Sequence, residues 1–253
     1  KVQNKIFLAR DRLGVKPLFY YHKDGKMIFC SEISPIKDQI GINNLSINKV
    51  ALSTYFRLFF IPSPSTIWNE INSLKQGHYL SFDLNTNKSI CKTYWKLATP
   101  QRSKTKISEL EDLIENASII RTRSDVPYSM FLSGGIDSTL ITKYLSTFNK
   151  NLQTYTVEIQ DSNLNESEYS NIAAKTFKTK HSSIKLKYKN ILISNLRQLV
   201  SRFGQPFADL SIIPYDAVSK EIGSLSVVAL GCDGADESFC GYDRYGNTTG
   251  SIQ

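Results

Sequence analysis

The sequence has little of what metal and redox centres are built from. Its three histidines, His22, His78 and His181, are scattered and form no metal-ligand spacing. Its four cysteines, Cys30, Cys91, Cys232 and Cys240, include no C-x-x-C pair. A zinc site, a dithiol redox centre and a disulfide framework are therefore not expected. No apolar run is long enough to span a membrane, and a reducing cytoplasm is the expected compartment. The formal charge of +8 is not gathered into a nucleic-acid face: the lysines are dispersed, and the densest stretch, 175–189, mixes lysine with threonine and serine instead of building a stacking platform. Such a surface suits an anionic nucleotide. What the 253 residues do have is 41% hydrophobic content, enough for a core in one large domain or two modest ones.

Residues 1–95 read as β-rich. Ile6–Leu8, Leu18–Tyr21 and Met27–Cys30 are short apolar or aromatic runs separated by turn residues such as Lys23-Asp24-Gly25. Lys49–Phe59 has helical periodicity, with Val50, Leu52, Phe56 and Phe59 on one side, and Gly77–Phe82 alternates as a half-buried strand does. Residues 96–106, polar and interrupted by Pro100, are the expected linker. From 107 to 253 the rhythm changes. Helical patterns over Ile107–Ile120 (with Ser108 and Glu111 as a capping box), Thr139–Leu145, Glu166–Phe177 and Asn190–Phe203 alternate with strand patterns over Val126–Leu132, Thr154–Ile159 and Ser226–Leu230. Tyr169, Ile172, Ala173 and Phe177 are expected to face inward. The alternation predicts an α/β fold with a parallel sheet covered on both faces.

The strongest local pattern is Phe131-Leu132-Ser133-Gly134-Gly135-Ile136-Asp137-Ser138-Thr139, between a strand and a helix. Open α/β sheets bind ligands at such carboxyl ends of strands. Two glycines let the backbone turn sharply and approach an anion, and the amides of the turn and of the helix start then face phosphate oxygens. Ser133, Ser138 and Thr139 add hydroxyl donors. No lysine follows the glycines, which excludes a Walker loop. Asp137 stands where phosphate would lie, an arrangement that makes sense with Mg²⁺ between the two.

A second cluster, Gly231-Cys232-Asp233-Gly234-Ala235-Asp236-Glu237, follows the last apolar strand. A shared sheet brings it to the same edge as the first loop. Three acids in five residues repel one another unless a cation neutralises them, and Asp236 is the candidate for the second Mg²⁺ carboxylate. The alternative is an Asp/Gly turn closed by a helix cap. Arg10, Asp11 and Arg12 read as a structural ion-pair network, His181 as a structural histidine, and Cys232 and Cys240 as small buried residues.

These segments together resemble the glutamine-hydrolysing asparagine synthetase family over nearly the whole chain. Arg10–Tyr20, Phe29–Ile33, Pro62–Ile67 and Gly77–Leu80 are similar to the late part of its N-terminal-nucleophile glutaminase domain. Asp125-Val126-Pro127 running into the Ser-Gly-Gly loop, Gln205-Pro206-Phe207-Ala208-Asp209 and Asp233–Tyr245 resemble its synthetase domain. The resemblance implies the β-rich end of a glutaminase domain followed by an adenine-nucleotide α-hydrolase-like (ATP pyrophosphatase) domain. It implies ATP, with Ser133, Gly134, Gly135, Asp137 and Ser138 around the pyrophosphate. Phe131 or Leu132, Val157 and the backbone at Gly231-Cys232 would surround the adenosine. Asp233 would face the acceptor and the incoming ammonia, and Asp137 and Asp236 would share Mg²⁺. The implied partners are ATP, aspartate and glutamine-derived ammonia, with no nucleic acid and no membrane; a homodimer is left open.

Three departures from the family pattern accompany the resemblance. None of the four cysteines stands at an N-terminus as the glutaminase nucleophile, so the chain reads as part of a longer polypeptide and is not expected to hydrolyse glutamine. Gly231-Cys232 replaces a Ser-Gly pair, which removes a hydroxyl, adds a side chain and implies weaker ATP binding. The helical region that would supply a transition-state lysine is also lacking. Two other readings stand beside an asparagine synthetase: a related amidotransferase acting on another carboxylate in polysaccharide or natural-product synthesis, and an inactive or split product that only binds nucleotide or a partner.

Overall fold

The computed structural model describes residues 4–98, 106–159, 167–186, 193–209 and 212–242. Most of the linker expected over 96–106 and the end of the Asp233–Tyr245 motif lie outside them. The chain divides into two compact units, residues 1–101 with 192–212, and residues 102–191 with 213–253.

The first unit is built from two antiparallel three-stranded sheets. Strands β1 (Lys5–Ala9), β5 (His78–Asp83) and β6 (Lys88–Thr93) form one; β3 (Lys26–Cys30), β2 (Phe19–Lys23) and β4 (Ile71–Ser73) form the other. The period-2 pleat sends alternate residues of β2 to opposite sides. Tyr20 packs with Leu8, Leu74, Leu80 and Phe82 between the sheets, whereas Tyr21 packs with Ile33, Ile36 and Ile71 beneath helix α1 (Ile33–Ile40). Helix α2 (Lys49–Leu58) is capped by Asn48, whose side chain accepts the Ala51 amide at 3.0 Å. Its expected apolar side is not buried. Ala51 is its buried residue, and Val50 and Phe56 are more than 70% exposed. Amphipathic spacing marks which residues share a face, not whether anything covers it.

Helix α6 (Ile193–Phe203) also belongs to this unit, through contacts to the residues around α1 and β4. Ser34 Oγ donates to the Ser201 carbonyl at 2.8 Å, Trp68 Nε1 to the Gly204 carbonyl at 3.2 Å, and the Ile67 amide to Gln205 Oε1 at 3.3 Å.

The second unit holds a parallel four-stranded sheet in the order β10 (Val228–Leu230), β7 (Tyr128–Phe131), β8 (Gln153–Ile159), β9 (Lys180–Leu186). Helices α3 (Ile107–Ile120), α4 (Ile136–Phe148), α5 (Ser167–Phe177) and α7 (Ile212–Gly223) accompany it. Met130 and Leu132 point to one face, where they meet Leu145 of α4 and Ala173 and Ala174 of α5. Phe131, Tyr155, Val157 and Ala229 point to the other, against Ile222 of α7. The sheet is thus parallel and covered on both faces, as the helix–strand alternation predicts. Two local expectations fail. Helix α3 starts at Ile107, with Lys106 as N-cap and the Glu109 carboxylate accepting the Lys106 amide at 3.4 Å, so Ser108 and Glu111 lie inside the helix. On α5 the buried residues are Ser170, Ala173 and Ala174, whereas Tyr169 and Ile172 are exposed: small side chains let the helix sit close to the sheet. Among the described residues, no helix is long and apolar enough to cross a membrane.

Arg10 is structural, but as a hydrogen-bond hub instead of an ion pair. Its guanidinium donates to the carbonyls of Lys16, Gly14 and Leu74 and to Ser63 Oγ and Ser73 Oγ, at 2.8–3.1 Å. Asp11 instead accepts the amides of Leu13, Val15 and Lys16, and these amides, Lys16 foremost, hold its carboxyl below the usual range. A lysine at position 10 offers three donors from one point and cannot span these acceptors. Arg10→Lys is therefore expected to destabilise this unit by about 2–3 kcal/mol in urea unfolding. Unchanged unfolding would show that the network is dispensable.

Candidate functional site

The parallel pairing of β10 with β7 sets the site. Val228 pairs with Tyr128, Ala229 with Ser129 and Leu230 with Met130, so both strands end side by side and both loops leave from the same edge. The first loop opens at Leu132, whose amide still donates to the Tyr155 carbonyl at 2.8 Å, and turns through Gly134 into α4, with Gly135 as N-cap. Gly134 has φ +91°, and a Cβ there would come within 2.5 Å of the Ser170 amide nitrogen on α5. Only glycine meets both demands. The loop is braced by its own hydroxyls. Ser133 Oγ and Ser138 Oγ lie 3.0 Å apart, Ser133 Oγ accepts the Gly135 amide at 3.2 Å, and Ser138 Oγ also lies 3.2 Å from the Gly135 carbonyl. Ser138 is buried, Ser133 and Gly135 are exposed, and a Cβ on Gly135 would meet only Ser133 Oγ at 3.4 Å. The first turn of α4, carrying Asp137, therefore presents its amides beside an open glycine backbone.

The second loop runs from Gly231 to Gly234 into the short helix α8 (Ala235–Phe239). Asp137, Gly231, Cys232 and Asp233 together line one cavity of about 470 Å³. Its remaining walls are mostly apolar, from Leu110, Leu113 and Ile114 of α3, Leu140 and Ile141 of α4, and Phe239. Cys232 packs beside Met130, Leu145 and Leu152. Its thiol is pushed up to about 12, first by burial and then by the carboxylates of Asp137 and Asp233. That shift is an electrostatic sign that the acids of both loops bear on one place. Cys240, expected to be buried, is exposed, with φ +58° at the end of α8.

The other expected site residues divide. Phe131 and Val157 share the apolar cluster on the α7 side of the sheet, both half-buried. Leu132 is fully buried against Ala173, Ala174 and Phe177, which leaves its backbone alone to face a ligand. Asp236 is half-buried in the first turn of α8, and its carboxylate lies against Gly241, where a Cβ would collide with it. It does not line the cavity that carries Asp137 and Asp233. Among the described residues, no group of three histidine, cysteine or acidic side chains converges as a metal cage. His181 is part-buried on β9, with Nδ1 2.9 Å from Thr154 Oγ1, and burial lowers its pKa.

One site residue carries no signal in the sequence. Tyr215, on α7, donates its hydroxyl to Asp233 Oδ1 at 2.9 Å, and its ring meets the Phe131 ring edge-on at 6.3 Å between centroids. The stretch Ile212-Ile213-Pro214-Tyr215 has no catalytic pattern, and only the tertiary fold brings it to Asp233.

The family model described as asparagine synthase matches residues 109–252, and that described as a glutamine amidotransferase domain matches residues 1–95. The chain is 36% identical over 251 residues to a protein of Methanocaldococcus jannaschii named putative asparagine synthetase (glutamine-hydrolyzing) 2, covering 96% of this chain and 48% of that protein. It is 32% identical over 248 residues to asparagine synthetase (glutamine-hydrolyzing) 1 of Bacillus subtilis, covering 97% of this chain and 39% of that one. The chain thus spans about half or less of the length of these curated relatives. Among solved structures, an NH3-dependent NAD synthetase from Campylobacter jejuni superposes with a TM-score of 0.38 at 16% identity, covering 55% of this chain and 61% of that chain.

A thiol with a pKa near 12 is thiolate in only about one molecule in ten thousand at pH 8. Iodoacetamide at that pH is expected to alkylate exposed Cys240 well before Cys232, as read by peptide mass spectrometry. Equal rates would contradict the burial and charge assigned to Cys232.

Proposed function

The chain belongs to the asparagine synthase family, and on that premise we propose that it carries the ATP-binding half of a ligase that amidates the side-chain carboxylate of aspartate. The observation that carries this reading is the meeting of two loops at one sheet edge, one rich in amide and hydroxyl donors, the other rich in carboxylate. A nucleotide polyphosphate needs the first, and an amine or a bound cation needs the second.

In this reading the pyrophosphate of ATP lies on the amides from Gly134 to Ser138, with Ser133 and Ser138 reorienting their hydroxyls from each other toward phosphate oxygen. Phe131, Val157 and the Gly231-Cys232 backbone flank the adenosine, with Leu132 contributing its backbone only. An oxygen of the aspartate side chain attacks the α-phosphorus, and the bond from that phosphorus to the α,β-bridging oxygen breaks, giving an acyl-adenylate and pyrophosphate made of the β and γ phosphoryl groups. Ammonia then attacks the acyl carbon and AMP leaves. Asp233 faces that carbon and attracts the nitrogen nucleophile as it gains positive charge. The loop amides act by stabilising negative charge on the departing pyrophosphate.

Mg²⁺ fits part of this site. Asp137 offers a hard oxygen donor beside the phosphate loop, and a carboxylate next to polyphosphate is favourable only with a cation between them. Asp236, in the first turn of α8, would be the second carboxylate to hold the ion. The ion would supply Lewis-acid neutralisation of the phosphates. The residues matched to the amidotransferase domain suit a source of ammonia from glutamine in the complete protein. Four cysteines outside any disulfide suit the cytoplasm.

The apolar walls from Leu110, Leu113, Ile114 and Phe239 favour a second reading, in which the acceptor carboxylate carries an apolar body. Exchange of labelled pyrophosphate into ATP by the complete gene product separates the two. Aspartate-dependent exchange, lowered about 100-fold by Asp137→Asn, is the expected result. Exchange supported only by apolar carboxylates favours the second reading, and exchange with no carboxylate tried would contradict both.

A further inference from the structure

We propose that Tyr215 is a positioning residue that ties the nucleotide wall to the acceptor-facing carboxylate; this rests on the adenylating function proposed above. Two contacts of one side chain carry it. The phenol donates to Asp233 Oδ1 at 2.9 Å, and the ring edge meets Phe131 at 6.3 Å with planes at 73°. Asp233 is exposed, on a loop whose neighbours Gly231 and Gly234 impose little rotamer restriction, and Gly234 has φ +96°. A carboxylate in that setting samples several orientations unless something holds it. Tyr215 is held in its turn, because α7 is anchored in the sheet by Ile222, fully packed against Tyr155.

The chemistry follows from which oxygen is occupied. With Oδ1 engaged by the phenol, Oδ2 is the oxygen left to meet an approaching nitrogen nucleophile. Oδ2 also lies on the Gly231 side, where a Cβ would sit 3.1 Å from it. The ring contact makes the arrangement respond to the nucleotide. A base packed on Phe131 fixes that ring, the edge-on contact fixes the Tyr215 ring, and the phenol fixes Asp233. Offset and edge-on ring pairs favour one relative geometry over others, so the coupling has a preferred state. ATP therefore orders the carboxylate that the second half-reaction uses.

Tyr215→Phe and Tyr215→Ala separate the two contacts in the complete gene product. Tyr215→Phe keeps the ring and loses the hydrogen bond. It is expected to lower kcat for ammonia-dependent amide formation about tenfold at unchanged KM for ATP. Tyr215→Ala also removes the ring contact and is expected to raise the Kd for ATP several-fold, measured by titration calorimetry without turnover. Thermal melting of both variants within a few degrees of the parent excludes loss of fold as the cause. Wild-type kcat in Tyr215→Phe overturns the proposal while leaving the adenylating function standing. Should the parent protein itself lack aspartate-dependent pyrophosphate exchange, the functional reading fails instead, and the calorimetry still decides: equal ATP affinity for parent and Tyr215→Ala overturns the ring coupling, weaker affinity supports it.

Discussion

Three backbone pairs between β10 and β7 hold the chemistry of this molecule together. Ninety-two residues separate the Ser133–Ser138 loop from the Gly231–Asp236 loop in sequence, and only the alignment of Val228, Ala229 and Leu230 beside Tyr128, Ser129 and Met130 makes them neighbours. Parallel pairing is what places both strand ends at the same edge, since an antiparallel β10 would carry its acidic loop to the opposite side of the sheet. The pairing is short, and packing reinforces it. Leu230 joins Met130 on the α4 face, Ala229 joins Phe131 and Tyr155 on the α7 face, and Ser129 Oγ donates to the Val228 carbonyl at 3.2 Å.

Electrostatics then divides the edge into two kinds of surface. The first loop offers donors: helix amides, an open glycine and two serine hydroxyls. The second offers acceptors, with Asp233 beside Asp137 across the cavity. Cys232, between them, is held in its protonated form first by burial and then by the two acids. Its side chain fills space next to the Met130–Leu145–Leu152 core. The mixture of donors and acids is suited to a polyphosphate that arrives with its cation.

Much of this was legible in the sequence, for identifiable reasons. Strand–loop–helix order, two glycines and an acid are local features, so the loop at Ser133 and its place at a strand end could be read directly. Helix–strand alternation predicts a parallel sheet, because parallel strands require crossovers. Burial was less legible. The apolar stripe of α2 is exposed, and α5 turns its alanines inward instead of Tyr169 and Ile172, because periodicity does not say how closely a helix approaches its neighbour. Arg10 reads as half of an ion pair with Asp11, yet Arg10 is satisfied by hydroxyl and carbonyl groups as distant in the chain as Ser63, Ser73 and Leu74, and Asp11 by the adjacent amides of Leu13, Val15 and Lys16. Tyr215 was not legible at all. Its partners, Asp233 and Phe131, lie 18 residues after it and 84 before it, and tertiary contacts of single side chains leave no period in a sequence.

The central claim is that the two loops make one nucleotide site. Hydrogen–deuterium exchange of the complete gene product, followed across a titration with Mg²⁺ and ATP, tests it most directly. One site predicts that peptides covering residues 132–139 and residues 231–239 gain protection together, with a common half-saturation. Protection confined to one segment, or two segments saturating at different nucleotide concentrations, would contradict it.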